Sequence, residues 1–174
     1  NETSTPINYT FSSDGAKTLN ISIKDAANNI TSTTRSITVD RTPPARTSNS
    51  LSLLDNDSGA LSTDSSGLPI SNSLTLKASA SVINSLFTDA TTTVSNLYIT
   101  DDNSSLPTTS SSFSVDPSVT QTITVDNKTG GGAISSGDNL TVYVYAIDVL
   151  GNGDNATGEG YSAYASVVIG FDNS

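Results

Sequence analysis

One short pattern occurs twice, once near each end of the chain, and it constrains the fold more than any other feature. Residues 19–29 (LNISIKDAANN) alternate apolar and polar side chains up to Asp25 and then enter a tight turn that carries Asn. Residues 142–152 (VYVYAIDVLGN) repeat the plan around Asp148. A further strand-like run follows each copy, Ser36–Asp40 after the first and Ala165–Ile169 after the second. Alternation at a period of two is the mark of a strand with one face on a core. Two copies about one domain apart predict an all-β chain of sandwich repeats in tandem.

The chain has 174 residues and lacks Cys, His, Met and Trp. That removes the usual parts for thiol or imidazole catalysis, soft-metal sites and disulfide scaffolds. Ser is abundant, but there is no His to activate it, so the reading is non-enzymatic. Gly130–Gly132 is followed by neither a Lys-Ser/Thr pair nor a helical pattern, so it is a flexible loop and not a phosphate cradle. No apolar run approaches the ~20 residues that cross a bilayer, and no basic-then-apolar leader opens the sequence. The chain reads as a segment of something longer, without direct membrane insertion.

Charge is distributed unevenly. Residues 1–46 carry 5 basic and 4 acidic side chains, whereas residues 47–174 carry 2 and 13. An acidic body of this kind repels nucleic acid and anionic membranes and attracts divalent cations.

Residues 1–44 read as three strands, Ile7–Phe11, Lys17–Lys24 and Thr33–Val39, closed by Pro43-Pro44. By alignment with the second copy they are the last three strands, the C-terminal half, of a preceding sandwich with one apolar face uncovered, whose opening strands lie outside this sequence or come from another molecule. Residues 45–174 read as a complete seven-strand Greek-key sandwich. Its strands are expected at Ser50–Leu54, Ser73–Val82, Val94–Thr100, Ser112–Val115, Val119–Val125, Leu140–Ile147 and Tyr161–Phe171.

The stretch GAKTLNISIKDAANNITSTTRSITVDRTPP (residues 15–44) resembles the end of a bacterial or archaeal immunoglobulin-like repeat, with Asn28 where such repeats usually have Gly. The stretch LLDNDSGALSTDSSGLPISNSLTL (residues 53–76) is similar to the opening of one. The resemblance implies immunoglobulin-like β-sandwiches in tandem, from a large extracellular protein of the cell surface such as an adhesin or a surface layer. It implies neighbouring repeats, or copies of the same protein, as partners.

Strand alternation sorts the loops of the second domain to two ends. One end gathers Asp55, Asp57 and Asp64 with Asp101, Asp102, Asp126 and Asp138. These carboxylates suggest a weak Ca²⁺ site, in which Asp55, Asp57, Asp64, Asp126 and Asp138 are the candidate ligands. The spacing is not that of an EF-hand, since Gly59 and Ser66 stand where ligands belong. At the other end, Asp40, Asp148 and Asp154 are candidates for a cation at the domain junction. The simpler role for Asp25 and Asp148 is to accept hydrogen bonds from the N–H groups of their own turns.

Nine Asn-x-Ser/Thr sequons occur. Asn8, Asn20, Asn29, Asn103, Asn127, Asn139 and Asn155 are candidate glycan acceptors, with Asn1 and Asn56 completing the set. Tyr143 and Tyr145 alternate with Val142 and Val144 and form a candidate ligand face for surface glycans or a neighbouring subunit. Two other readings follow from the same residues. One is a filament subunit that exchanges strands through residues 1–44. The other is a carbohydrate-binding sandwich of a secreted protein.

Overall fold

The structure is a computed structural model and describes residues 7–48, 51–101, 116–153 and 164–174. It is all-β apart from one short helix. The chain divides into two compact units, Asn1–Arg41 and Thr42–Ser174.

Among the described residues of the N-terminal unit, β1 (Gly15–Lys24) and β2 (Ile30–Val39) form an antiparallel hairpin. Its register pairs Leu19 with Arg35, Ile21 with Thr33 and Lys17 with Ile37. Directly opposed residues share a face. Leu19, Ile21, Ile23, Ile37 and Val39 therefore lie together on one side, and Asn20, Ser22, Ser32 and Thr34 on the other. The expected strand at Ile7–Phe11 is absent. No strand hydrogen-bonds to this segment among the described residues, so its alternation has no ladder to join, and Ile7 is 96% exposed.

The second unit holds the remaining elements. They are β3 (Ala45–Arg46), β4 (Ser62–Thr63), β5 (Pro69–Ser71), β6 (Thr75–Ala78), α1 (Ala80–Leu86), β7 (Phe87–Thr88), β8 (Val94–Thr100), β9 (Gln121–Thr124), β10 (Asn139–Asp148) and β11 (Ala165–Phe171). Five of them form one sheet in the order β4-β5-β11-β10-β8. The β6–β9 and β3–β7 pairs are separate ladders. Most pairings are antiparallel, but β11 runs parallel to β5, with Gly170 beside Ile70.

One core joins these layers. Leu140, Val142, Val144 and Ala146 of β10, Leu97 of β8 and Ile169 of β11 meet Leu76 and Ala78 of β6, with Val125 just beyond β9. β10 is flanked on both edges and buried on both faces, which explains its near-continuous apolar run.

Three expectations are corrected here. The strand expected over Ser73–Val82 ends at Ala78 and gives way to α1. Ile83 and Leu86 stand three apart and are both buried, a helical spacing that overrides strand alternation. The segment at Leu51–Leu54 buries Leu51 and Leu53 as a strand would, yet it contributes only isolated bridges from Leu54 to Ala60 and Lys77. The short pieces β4 and β5 were not expected, because Gly67 and Pro69 read as turn. The strand expected at Ser112–Val115 lies outside the described residues.

Candidate functional site

The acidic residues are best understood from their turns upward. At Asp25 the carboxylate Oδ1 accepts the N–H groups of Ala27 (2.9 Å) and Asn29 (2.8 Å), and Oδ2 accepts the Asn29 side-chain amide (2.8 Å). At Asp148 the same three bonds come from Leu150 N–H (2.7 Å), Asn152 N–H (3.0 Å) and the Asn152 side-chain amide (2.7 Å). The backbone follows suit, closing Asp25 N–H on Asn29 O and Asp148 N–H on Asn152 O. The fourth residue of each turn is left-handed, Asn28 at φ 72° and Gly151 at φ 91°. This is a three-residue hairpin connection in which a type I turn is followed by one left-handed residue. The duplication in sequence is thus a duplication of a hydrogen-bonded object.

The same turn occurs twice more, in loops whose clustered carboxylates suggest a metal. Asp55 Oδ1 accepts Asp57 N–H (3.0 Å) and Gly59 N–H (2.6 Å), with Ser58 left-handed at φ 69°. Asp64 Oδ1 accepts Ser66 N–H (2.8 Å), Ser66 Oγ–H (2.7 Å) and Leu68 N–H (2.9 Å), with Gly67 at φ 85°. The pattern common to all four turns is Asp followed three residues later by Asn, Ser or Gly. Gly and Asn enter the left-handed region with least penalty, while Ser58 holds it as an ordinary L-residue.

At Asp25, Asp64, Asp116 and Asp172 such bonds favour the ionised carboxyl. Asp64 is held below the ordinary carboxylate range, first by the Ser66 hydroxyl and then by the Leu68 N–H. Asp25 is lowered chiefly by the Asn29 side-chain amide. Asp116 and Asp172 are lowered in the same way, chiefly by the hydroxyls of Ser118 and Ser174.

The expected calcium ligands are spread out. Asp126 donates its N–H to Asp101 Oδ2 at 2.6 Å, and Asn127 N–H reaches the same oxygen at 2.7 Å. Asp138 sits 3.4 Å from Lys128 Nζ and accepts Ser135 N–H. Asp57 is exposed. Among the described residues, no three of Asp55, Asp57, Asp64, Asp126 and Asp138 bring carboxylate oxygens within 4.8 Å of one another. What does meet at this end are two cavities sharing Asp172, a residue the loop reading passed over. One of 340 Å³ is bordered by Asp55, Ser62, Asn72 and Asp172, and another of 340 Å³ by Asp64, Ser136 and Asp172.

Of the three junction candidates, Asp40 follows β2 in the N-terminal unit and Asp154 lies outside the described residues. Asp148 is 1% exposed. Within the second unit, Thr92 Oγ lies 3.2 Å from Asp89 Oδ1 and 3.3 Å from Asp148 Oδ2. Its single proton serves one of them at a time. Asp89 also accepts the N–H groups of Thr91 and Thr92.

The tyrosine face is corrected. Tyr145 is 2% exposed and packs with Ile147 and Tyr98, while Tyr143 is half-buried. Tyr164 closes the group with ring centroids 5.4 Å from Tyr143 and 5.7 Å from Tyr145. Alternation placed these rings on the face opposite Val142 and Val144, and they form a second small cluster there, so Tyr145 offers no open platform.

Among the sequons, Asn8, Asn20, Asn56 and Asn139 are exposed. Asn29 spends its side-chain amide on Asp25, and Asn127 directs its own toward Asp101 at 3.5 Å. Asn1, Asn103 and Asn155 lie outside the described residues.

No protein-family profile, no curated protein and no solved structure matches the chain. Among the described residues, no helix is long and apolar enough to cross a membrane.

Proposed function

We propose that this chain is a non-catalytic structural module of a prokaryotic cell-surface protein, an adhesin or surface-layer component built of immunoglobulin-like β-sandwiches in tandem. The observation that carries the reading is the repeated hairpin. β1, its Asp-capped turn and β2 match β10, its turn and β11, hydrogen bond for hydrogen bond at the turn. The topology of the second unit supports it. Leu54 bridges to β6, while β5, which lies beyond β4 and starts at Pro69, joins β11 in parallel. An opening region that contributes separate segments to two sheets in this way suits an immunoglobulin-like sandwich, with β6–β9 as part of one sheet and β11-β10-β8 as the centre of the other.

Calcium is proposed as the stiffening ion. It takes six to eight oxygens in flexible geometry. The acid-rich end with Asp55, Asp64 and Asp172 around its cavities is one place for it, and the Asp89–Thr92–Asp148 group is another. The test is thermal unfolding in EDTA, in millimolar CaCl₂ and in matched MgCl₂. The reading expects a rise of several degrees specific to calcium, reduced by Asp55→Asn with Asp57→Asn or by Asp89→Asn. Identical curves in the two salts would reduce the acidity to solvation.

A second reading, a filament subunit assembled by strand exchange through residues 1–44, is favoured by the bare apolar face of the β1–β2 hairpin.

A further inference from the structure

The two equivalent hairpins differ in what lies against them. A shift of 123 residues aligns the Asp25 and Asp148 turns and sets Leu19, Ile21 and Ile23 on Val142, Val144 and Ala146. The cross-strand registers then set Arg35 on Val167 and Ile37 on Ile169. In the second unit Val142, Val144, Ala146 and Ile169 are all 0% exposed. In the hairpin Ile21 is 39%, Ile37 44% and Ile23 69% exposed. The edges differ too, since β10 is flanked by β8 and β11 by β5, whereas among the described residues β1 and β2 pair only with each other. A lone two-stranded hairpin is marginal in water.

We propose that the β1–β2 hairpin is a strand-accepting surface, completed by an extended polypeptide segment that lies antiparallel along β1 as β8 lies along β10. The inference rests on the immunoglobulin-like reading of the second unit. The incoming segment carries apolar residues at alternate positions, which take the places of Leu97 and Ile99 beside Ile23 and Ile21. It also carries carboxylates, because Lys17 and Arg35 stand on this face where the second unit has Leu140 and Val167. Stacking against the same hairpin of a second copy is the weaker solution. Two strands about 34 Å long offer about 350 Å² a side, some 700 Å² in all, well under the ~1,200 Å² of a stable interface. It would also set the cations of one copy against those of the other. Strand addition adds main-chain hydrogen bonds along a free edge to the apolar contact.

The probe is a synthetic peptide with the sequence of residues 93–101, and its control carries Leu97→Ser and Ile99→Ser. Amide exchange is followed across the full 174-residue chain. In the chain alone, β1 and β2 should exchange far faster than β10 and β11. Excess peptide should slow β1 about tenfold, the effect of some 1.4 kcal/mol of added local stability, and the control should not. The proposal is overturned if β1 is already protected in a monomeric chain, or if millimolar peptide leaves it unchanged. It is also overturned if protection grows with protein concentration alongside dimerisation in sedimentation, because the occupant is then a second hairpin. Cooperative unfolding of residues 42–174 in the same samples would leave the module reading standing in each of these cases.

Discussion

Asp148 is the residue whose loss should be felt most. Its carboxylate is 1% exposed and accepts Leu150 N–H, Asn152 N–H and the Asn152 amide, with the Thr92 hydroxyl 3.3 Å away. Asn152 is itself only 6% exposed, so Asp148→Ala strands two of its donors where water cannot replace the acceptor. A buried donor left unpaired costs about 1–3 kcal/mol. Two of them, with the loss of the turn cap, place the penalty at about 3–5 kcal/mol. Asp148→Asn keeps one acceptor for the two backbone N–H groups but sets amide against amide at Asn152, so about 1–3 kcal/mol is expected. Asp64 makes the same turn only half-buried and next to exposed Ser65 and Ser66, so Asp64→Ala should cost only a small fraction of the Asp148→Ala value. Urea unfolding followed by circular dichroism, with equal slopes to confirm an unchanged unfolding transition, measures all three. Equal losses at Asp64 and Asp148, or a loss below about 1 kcal/mol at Asp148, would refute the argument that burial sets the worth of this cap.

Glycine substitutions beside the same turn should separate sharply. At Gly153, φ is 111° and an added Cβ would overlap the carbonyl oxygen of Ala146, whereas at Gly151, φ is 91° and an added Cβ meets nothing within 4 Å. Gly153→Ala should cost about 2–4 kcal/mol and Gly151→Ala about 1–2 kcal/mol in urea titration. Asn28 holds a left-handed φ of 72° that Gly adopts freely. Asn28→Gly should therefore stabilise the β1–β2 turn by a few tenths of a kcal/mol, seen as slower amide exchange in the hairpin. The carboxyls of Asp25, Asp64, Asp116 and Asp172 are held below the ordinary carboxylate range in the folded protein. Their contribution is therefore present above about pH 4 and is lost as pH falls through the folded values. Urea midpoints should be flat at mildly acidic pH and drop below about pH 4, with a shallower drop in an Asp64→Asn, Asp172→Asn variant.

Much of this architecture is legible in side-chain alternation where a strand has one dry face. Val94–Thr100 falls where it was expected, and β1, β2 and β10 differ from expectation only at their ends. The helix at Ala80–Leu86 was missed because Thr75–Ala78 sets up a period of two that Ile83 and Leu86 then break. β4 and β5 are two and three residues long, too short to show a period. The role of Asp25 and Asp148 as turn acceptors was readable from the repeat. For Asp55 and Asp64 the same signal is present in Ser58 and Gly67, three residues on, beside the clustered acidity that points to calcium. The contact of Asp101 with Asp126 and Asn127 spans about 25 residues of sequence and depends on two strand ends meeting, which no local pattern announces. The burial of Tyr145 likewise depends on Tyr98 and Tyr164 arriving from β8 and the start of β11.

The most direct test of the central claim is a set of backbone nuclear Overhauser contacts at Leu54 and at β5 in the second unit. The account predicts Leu54 in antiparallel contact with Lys77 and, in the same molecule, Ile70 in parallel register with Gly170. Finding Ile70 antiparallel to β11, or residues 54–71 confined to one sheet, would contradict the immunoglobulin-like sandwich and the tandem module built on it.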